Sequence, residues 1–371
     1  MRLFILAGEP SGDRIAADLV ARLKSKIALT LDGVGGAETA GQGLRSLFPM
    51  SDLAVMGVTD VIMRLPKLLW RLEQTARHIL RTAPDMVVLV DAQDFSRLLA
   101  ARLRRLGYRG KIVLCVAPSV WARHPERAAR IRPLFDAVLA VLPFEPAVMA
   151  RLGGPPTTYI GHPALGDANP APQVRDAGPL VLLPGSRDGE LRRHMTLLGQ
   201  IAAAVVDRPE VSGIVLPTLP HLRARLERAV ADWDAPVTIL DRRQDRTELY
   251  RQAIGAVCVS GTVTLELALA GVPMVVLYAL DGPQSRIYEK LGRPQVSLPN
   301  IILDRPVVPE LVEDDPASSH LLPLVTELVG NKKARQDQIT AFGELLERMQ
   351  SGEAPYLRED PADRILAVLR N

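Results

Sequence analysis

The chain has 371 residues, 47% hydrophobic and 23% charged, with a net charge of +3. That length is too great for one ordinary core and predicts about two domains. The mild basic balance permits an anionic surface as partner without demanding one, and two cysteines exclude a disulfide framework or a cysteine metal site.

The N-terminal MRLFILA is too short for the apolar region of a signal peptide, and acids follow at once. The longest apolar stretch, LALAGVPMVVLYAL, falls short of the roughly 20 residues a membrane span needs. A soluble or peripheral, cytosolic protein is expected. Cys115 and Cys258 lie in apolar runs and are expected to be buried and reduced.

LFILA (3–7) reads as a first strand, and GEPSGD (8–13) follows it. Gly8 and Gly12 allow a tight turn and close approach. Ser11 is placed to cap the next helix, and Asp13 suits the helix dipole. Glu9 is different. A carboxylate before a Gly-rich turn repels phosphate and suits hydroxyls or an ammonium group. The turn therefore predicts a sugar or other polar acceptor. Strands are expected at 28–34, 86–90, 111–117, 137–142 and 157–161, with helices such as 14–25 and 65–81 between them.

Asp91 ends the strand MVVLV, where a desolvated carboxylate could take a proton from a hydroxyl nucleophile. Asp91 or Asp94 is expected to cap the following helix, leaving the other for chemistry. The next strand leads to APSVWARHPER (117–127), where Ser119 and Trp121 suggest a loop with an aromatic wall. Trp121 serves equally well as core.

The Pro- and Gly-rich segment 161–179 reads as an interdomain linker. Strands resume at 180–184, 213–217, 236–240, 256–260 and 273–278. The expected domains are 1–165 and 166–349, with a terminal helix, about 350–371, returning to the first. The fold class is α/β: two Rossmann-like, doubly wound parallel-sheet domains facing a cleft.

In LLPGSRDGE (182–190), Ser186 and Arg187 suit a diphosphate, through free helix N–H groups and a guanidinium fork. Gly261 and Thr262 open a second helix after a buried strand. Glu266, on the same helix face as Thr262, suits ribose hydroxyls. Asn300 and Glu310 lie in the apolar, Pro-punctuated segment 297–311, which could line a cleft. The six histidines show no zinc-like spacing, and no P-loop is present. No metal and no cofactor are expected.

Taken together, AGEPSGD, LAVMGVTDVIMRLPKLL, VDAQDF, APSVWA, LAVLPFE, YIGHP, LLPGSRDGEL, SGTVTLELAL and SLPNIILDRPVVPEL resemble the lipid-A-disaccharide synthase family, inverting glycosyltransferases of the GT-B fold. The resemblance implies a reaction between UDP-2,3-diacylglucosamine and 2,3-diacylglucosamine 1-phosphate. The products are a β-1,6-linked disaccharide 1-phosphate and UDP. It puts the base on Asp91 and a second catalytic acid on Glu9. Ser11, Asp94, Ser119 and Trp121 fall on the acceptor side. Ser186, Arg187, Gly261, Thr262, Glu266, Asn300 and Glu310 fall on the donor side. The chain departs from the family pattern at Ala37, Thr39, Asp60, Gln93, Ser96, Arg123, His124 and Asp281, which bears on acceptor recognition.

The segment 60–80 interleaves apolar residues with Arg64, Lys67 and Arg71, carries Trp70, and has Pro66 at an expected helix start. Together with the lipid substrates it implies peripheral binding to the cytoplasmic face of the inner membrane. Arg97, Arg102, Arg104, Arg105, Arg109 and Lys111 would add attraction to anionic lipid. A homodimer is allowed, and no nucleic acid is expected. The rival readings are a GT-B paralogue with another lipid-linked or sugar acceptor, a UDP-GlcNAc 2-epimerase-like enzyme, and a UDP-sugar-binding module without catalysis.

Overall fold

A computed structural model describes the backbone of residues 1–53 and 58–370, and their side chains except at 58–63 and 243. The chain forms two compact units, Met1–Pro163 with Met349–Asn371, and Ala164–Arg348.

The first unit alternates β1 (Arg2–Ala7), α1 (Pro10–Lys24), β2 (Thr30–Val34), α2 (Ala37–Gly41), α3 (Val58–Thr82) and β3 (Met86–Val90). It continues with α4 (Gln93–Arg105), β4 (Lys111–Cys115), α5 (Glu126–Ile131), β5 (Ala137–Ala140), α6 (Glu145–Arg151) and β6 (Thr157–Tyr159). The sheet is parallel, in the order β2-β1-β3-β4-β5-β6. Its central strands are apolar without alternation because helices cover both faces. In α1, Ala16, Leu19, Val20 and Leu23 recur at helical spacing and are buried against the sheet.

The second unit holds β7 (Gly178–Leu183), α7 (Asp188–Val205), β8 (Val211–Pro217), α8 (Arg223–Val230), β9 (Val237–Leu240), α9 (Arg243–Gln252) and β10 (Gly255–Val259). There follow α10 (Thr262–Ala270), β11 (Met274–Ala279), α11 (Gly282–Lys290), α12 (Leu298–Leu303), β12 (Glu310–Glu313), α13 (Ser318–Gly330) and α14 (Lys332–Ser351). The order is β12-β11-β10-β7-β8-β9, again parallel. Edge strand β12 was not anticipated. Its four residues are bracketed by prolines, and all are only part-buried, so no apolar run announces it.

After α14 the chain re-enters the first unit through the hairpin β13 (Gly352–Glu353) and β14 (Tyr356–Leu357), then α15 (Pro361–Arg370). The Tyr159 hydroxyl donates to the Met349 carbonyl at 2.6 Å, and Arg358 donates to Ile160. Ala362, Ile365 and Val368 of α15 pack with Leu3, Ile5, Leu19 and Leu23. Arg22 of α1 pairs with Asp360, and Lys26, just past its end, with Asp363.

Two expectations are corrected. The segment 161–179 is not a free linker throughout. The units change over at Pro163–Ala164, Asn169 N–H bonds Leu269 O at 2.8 Å, and Gly178 already opens β7. Pro66 does not start a helix but lies inside α3, where its missing N–H removes one helix bond without ending the run. Residues 54–57, the end of LAVMG, lie outside the described residues, as does the side chain of Asp60. Both cysteines are buried thiols, as expected.

Ile365 has no exposed surface. Ile365→Ala should therefore destabilise the first unit by about 2–4 kcal/mol, read from its transition in urea denaturation.

Candidate active site

Sheet order fixes where each site forms. In both units the order reverses beside the first strand, between β1 and β3 and between β7 and β10. Loops at the carboxyl ends of those strands are where open α/β sheets bind ligands. The four loops are GEPSGD, DAQDF, PGSRDGE and SGTVTLE.

In the first unit, Ala7 pairs with Val90, so Gly8 stands beside Asp91. A Cβ on Gly8 would lie 2.5 Å from the Ala92 Cβ, so only glycine lets the two loops meet. Asp91 and Ala92 are both left-handed, at φ 56° and 45°. The Asp91 carboxyl is half-buried. Burial pushes its pKa up, the Glu9 charge pushes the same way, and the Ala92 N–H opposes them. Glu9 is the exposed N-cap residue of α1 and makes no side-chain cap bond.

The expected caps are corrected. Ser11 sits in the first turn of α1, exposed, one turn too late to cap. Neither Asp91 nor Asp94 caps α4, because the N-cap is Ala92. Asp94 is exposed in the first turn, 3.8 Å from Arg97. Asp13 does more than face the α1 dipole. It is buried and accepts from Gly36 N at 2.8 Å, Glu38 N at 2.9 Å and Thr39 Oγ1 at 2.6 Å. It therefore fixes the start of α2.

Ser119 is exposed and Trp121 half-buried in the loop after β4. The Trp121 ring meets Phe144 edge-on at 5.4 Å, and its Nε1 lies 3.4 Å from Glu145. Glu145, which sequence reading passed over, is buried and accepts from Val141 and Leu142 N–H at 3.2 and 3.0 Å. Burial pushes its pKa up to about 7 against those donors.

In the second unit, Leu183 pairs with Cys258, so the loops after β7 and β10 are neighbours. The N–H groups of Ser186 and Arg187 are not open to phosphate. Both donate to Glu190 Oε2, at 3.0 and 3.2 Å, and Arg187 Nη1 donates to Glu190 Oε1 at 2.8 Å. Gly185, at φ 96°, leaves the room Glu190 occupies. Arg187 itself is largely exposed at its side chain. Gly261 and Thr262 are exposed, and Glu266 is half-exposed on the same face of α10.

Asn300 and Glu310 differ from expectation in kind. Asn300 is buried. Its Nδ2 donates to Val308 O and Glu310 Oε1, and its Oδ1 accepts from Val307 and Val308 N–H, all within 2.8–2.9 Å. Glu310 also accepts from Val296 N, Ser297 N and Ser297 Oγ. The pair clips β12 to the start of α12, and Asn300's four hydrogen-bonding positions are filled within the protein.

Sequence reading also missed Glu190 and His194. Glu190 stands at N3 behind the N-cap Arg187, the spacing of a capping box, which is the signal that could have found it. His194 is buried. Its Nδ1 lies 2.7 Å from Glu190 O, and Ala279 N–H donates to its Nε2 at 2.9 Å. That network assigns a neutral ring with the proton on Nδ1. No group of metal-ligand side chains gathers among the described residues.

The basic residues expected to attract lipid are largely paired. Lys67 and Arg71 both bind Asp52, and Arg71 stacks on Phe48 and Trp70. Arg102 pairs with Glu73, and Arg104 and Lys111 with Asp136. Leu65, Leu69 and Trp70 are 46%, 52% and 57% exposed on α3. No described helix is long and apolar enough to cross a membrane. Thr39 binds Asp13, and Asp281 caps α11 through the Gln284 N–H.

Two parallel sheets with paired loops at their switch points are the GT-B architecture, and solved structures agree. MnaA of S. aureus, solved with UDP, matches with a TM-score of 0.63 at 12% identity over 98% of this chain and 94% of that one. Acinetobacter baumannii MurG matches with 0.58 at 13% identity over 100% and 99%. These likenesses show the fold. The family follows from sequence. The model for lipid-A-disaccharide synthetase matches residues 3–360. Lipid-A-disaccharide synthases of Rhodopseudomonas palustris strain HaA2 and Rhodospirillum centenum are 40% and 38% identical. They align with 100% and 99% of this chain and 96% and 94% of their own lengths. The chain belongs to the lipid-A-disaccharide synthase family.

Two stability predictions follow from the second unit. Burial lowers the His194 pKa in the folded state, so below about pH 6.5 the unfolded chain binds a proton that the folded chain refuses. Its stability contribution should be full above that pH and lost as pH falls, a slope that His194→Gln flattens in urea titrations. Asn300→Ala should cost about 2–4 kcal/mol through unpaired buried partners, and Glu310→Gln less, by the same measurement.

Proposed function

We propose that this chain transfers the sugar of UDP-2,3-diacylglucosamine to the 6-hydroxyl of 2,3-diacylglucosamine 1-phosphate. The products are the β-1,6-linked disaccharide 1-phosphate and UDP. The observation that carries the reading is a half-buried carboxylate, Asp91, at the β1/β3 switch point of a lipid-A-disaccharide synthase family member. The first unit takes the acceptor, with Glu9, Ser11, Asp94, Ser119 and Trp121 around it. The second takes the donor through Ser186, Arg187, Gly261, Thr262 and Glu266.

Asp91 removes the proton of the acceptor 6-hydroxyl. That oxygen attacks the anomeric carbon from the face opposite UDP. The bond from the anomeric carbon to the β-phosphate oxygen breaks, its electron pair leaves with UDP, and configuration inverts. Arg187 and the Ser186 hydroxyl supply charge and hydrogen bonds to the departing diphosphate. Asn300 and Glu310 act by holding the start of α12, since their own bonds lie within the protein. Glu9 orients acceptor hydroxyls, and its charge adds to burial in keeping the Asp91 proton affinity above that of an ordinary carboxyl.

We further read Leu65, Leu69 and Trp70 as the lipid-facing part of the first unit, at the cytoplasmic face of the inner membrane. The support is their exposure beside cations already balanced by Asp52.

The test is turnover in mixed detergent micelles with both acylated substrates and EDTA, followed by mass spectrometry of disaccharide and UDP. Stoichiometric disaccharide is expected. Asp91→Asn should lower kcat by at least about 100-fold, the usual weight of a general base, with UDP affinity kept. The acidic limb of kcat should lie above the usual Asp range near 3.9, because deprotonated Asp91 is the active form and its pKa is raised. Glu9→Gln should move that limb to lower pH. UDP binding without disaccharide would shift the reading to another acceptor.

A further inference from the structure

Seven described non-glycine residues have positive φ. Ala83, Arg293 and Asp304 lie just past helix ends, where that conformation is common. Asp91, Ala92 and Val116 instead gather at the carboxyl ends of the adjacent strands β3 and β4. Val116, at φ 77°, is β-branched, and such a residue pays a steric penalty there. A conformation of this kind persists only when its surroundings hold it.

The holders are two side chains of the first turn of α4. Gln93 Nε2 donates to Val116 O at 3.0 Å, and Ser96 Oγ donates to Asp91 O at 2.8 Å. Gln93 and Ser96 stand three apart, on one helix face. Ser96 is fully buried. The main chain completes the frame, with Asp91 N–H on Cys115 O and Val116 N–H on Leu139 O, both at 2.9 Å.

We propose that Gln93 and Ser96 are positioning residues that clamp Asp91 and the adjoining end of β4 in the left-handed conformation used for acceptor deprotonation. The inference rests on reading Asp91 as the base. The clamp acts on main-chain carbonyls and touches neither substrate. Its loss lets Asp91 swing toward water, so it lowers the chemical step and leaves substrate binding intact.

The experiment compares Ser96→Ala, Gln93→Met, Ser96→Thr and Asp91→Asn in the micelle assay, with a crystal structure and a melting curve of each. Ser96→Ala and Gln93→Met should each lower kcat about tenfold, the weight of one hydrogen bond, with KM for both substrates within about twofold. Their acidic limb should move to lower pH as Asp91 becomes hydrated. Ser96→Thr keeps the hydroxyl and should restore kcat and the limb. In the crystals, Asp91 should leave positive φ in Ser96→Ala. Unchanged kcat, limb and Asp91 conformation in both variants would overturn the clamp while Asp91→Asn still loses turnover. Full turnover by Asp91→Asn would overturn the base reading instead, and the crystal structures would still decide the clamp. If the buried Ser96→Ala fails to fold, the half-buried Gln93→Met carries the same comparison.

Discussion

Backbone N–H groups released at the carboxyl end of each parallel strand must find acceptors, and much of this structure follows from that requirement. Three carboxylates meet it: Asp13 holds the turn into α2, Glu145 the turn into α6 and Glu190 the turn into α7. A fourth, Glu310, does the same for the turn between α11 and α12. Asp13, Glu145 and Glu190 are buried, so each would be costly without its donors. Each therefore specifies one loop conformation. Two of the candidate-site loops, GEPSGD and PGSRDGE, contain such an acid, Asp13 and Glu190, committed to the main chain.

That commitment separates what the sequence revealed from what it hid. The strands were legible because apolar runs such as MVVLV and GAVCV are buried on both faces and end at turn residues. The switch-point loops were legible because their glycines and polar residues follow those runs. The roles of the acids inside the loops were not. Glu190 and Asp13 read as surface or dipole-facing charge until tertiary contacts bring backbone donors to them. Asn300 and Glu310 looked like ligand residues because polar groups in an apolar segment suggest a cleft. Their partners, Val307, Val308, Val296 and Ser297, are supplied by the segments on either side of α12, which no periodicity announces. The pairing of charges on α3 and α4 was hidden for the same reason, since their partners Asp52, Glu73 and Asp136 come from other elements or distant positions.

The same contrast sets Asp91 apart. The four structural carboxylates each take two or more donors. Among the described residues, Asp91 takes one backbone hydrogen bond, from Ala92, and faces the like charge of Glu9. Its own N–H and carbonyl are spoken for, by Cys115 and Ser96, while its carboxyl keeps acceptor capacity. A carboxylate tied down through its main chain and left open at its side chain is fixed in place without being neutralised. A general base has to combine those two properties, because proton transfer needs both a held geometry and an unoccupied lone pair. The left-handed backbone at Asp91 achieves the separation. It turns the carbonyl toward α4, where Ser96 meets it, and the glycine at position 8 keeps the neighbouring loop close without a side chain in the way.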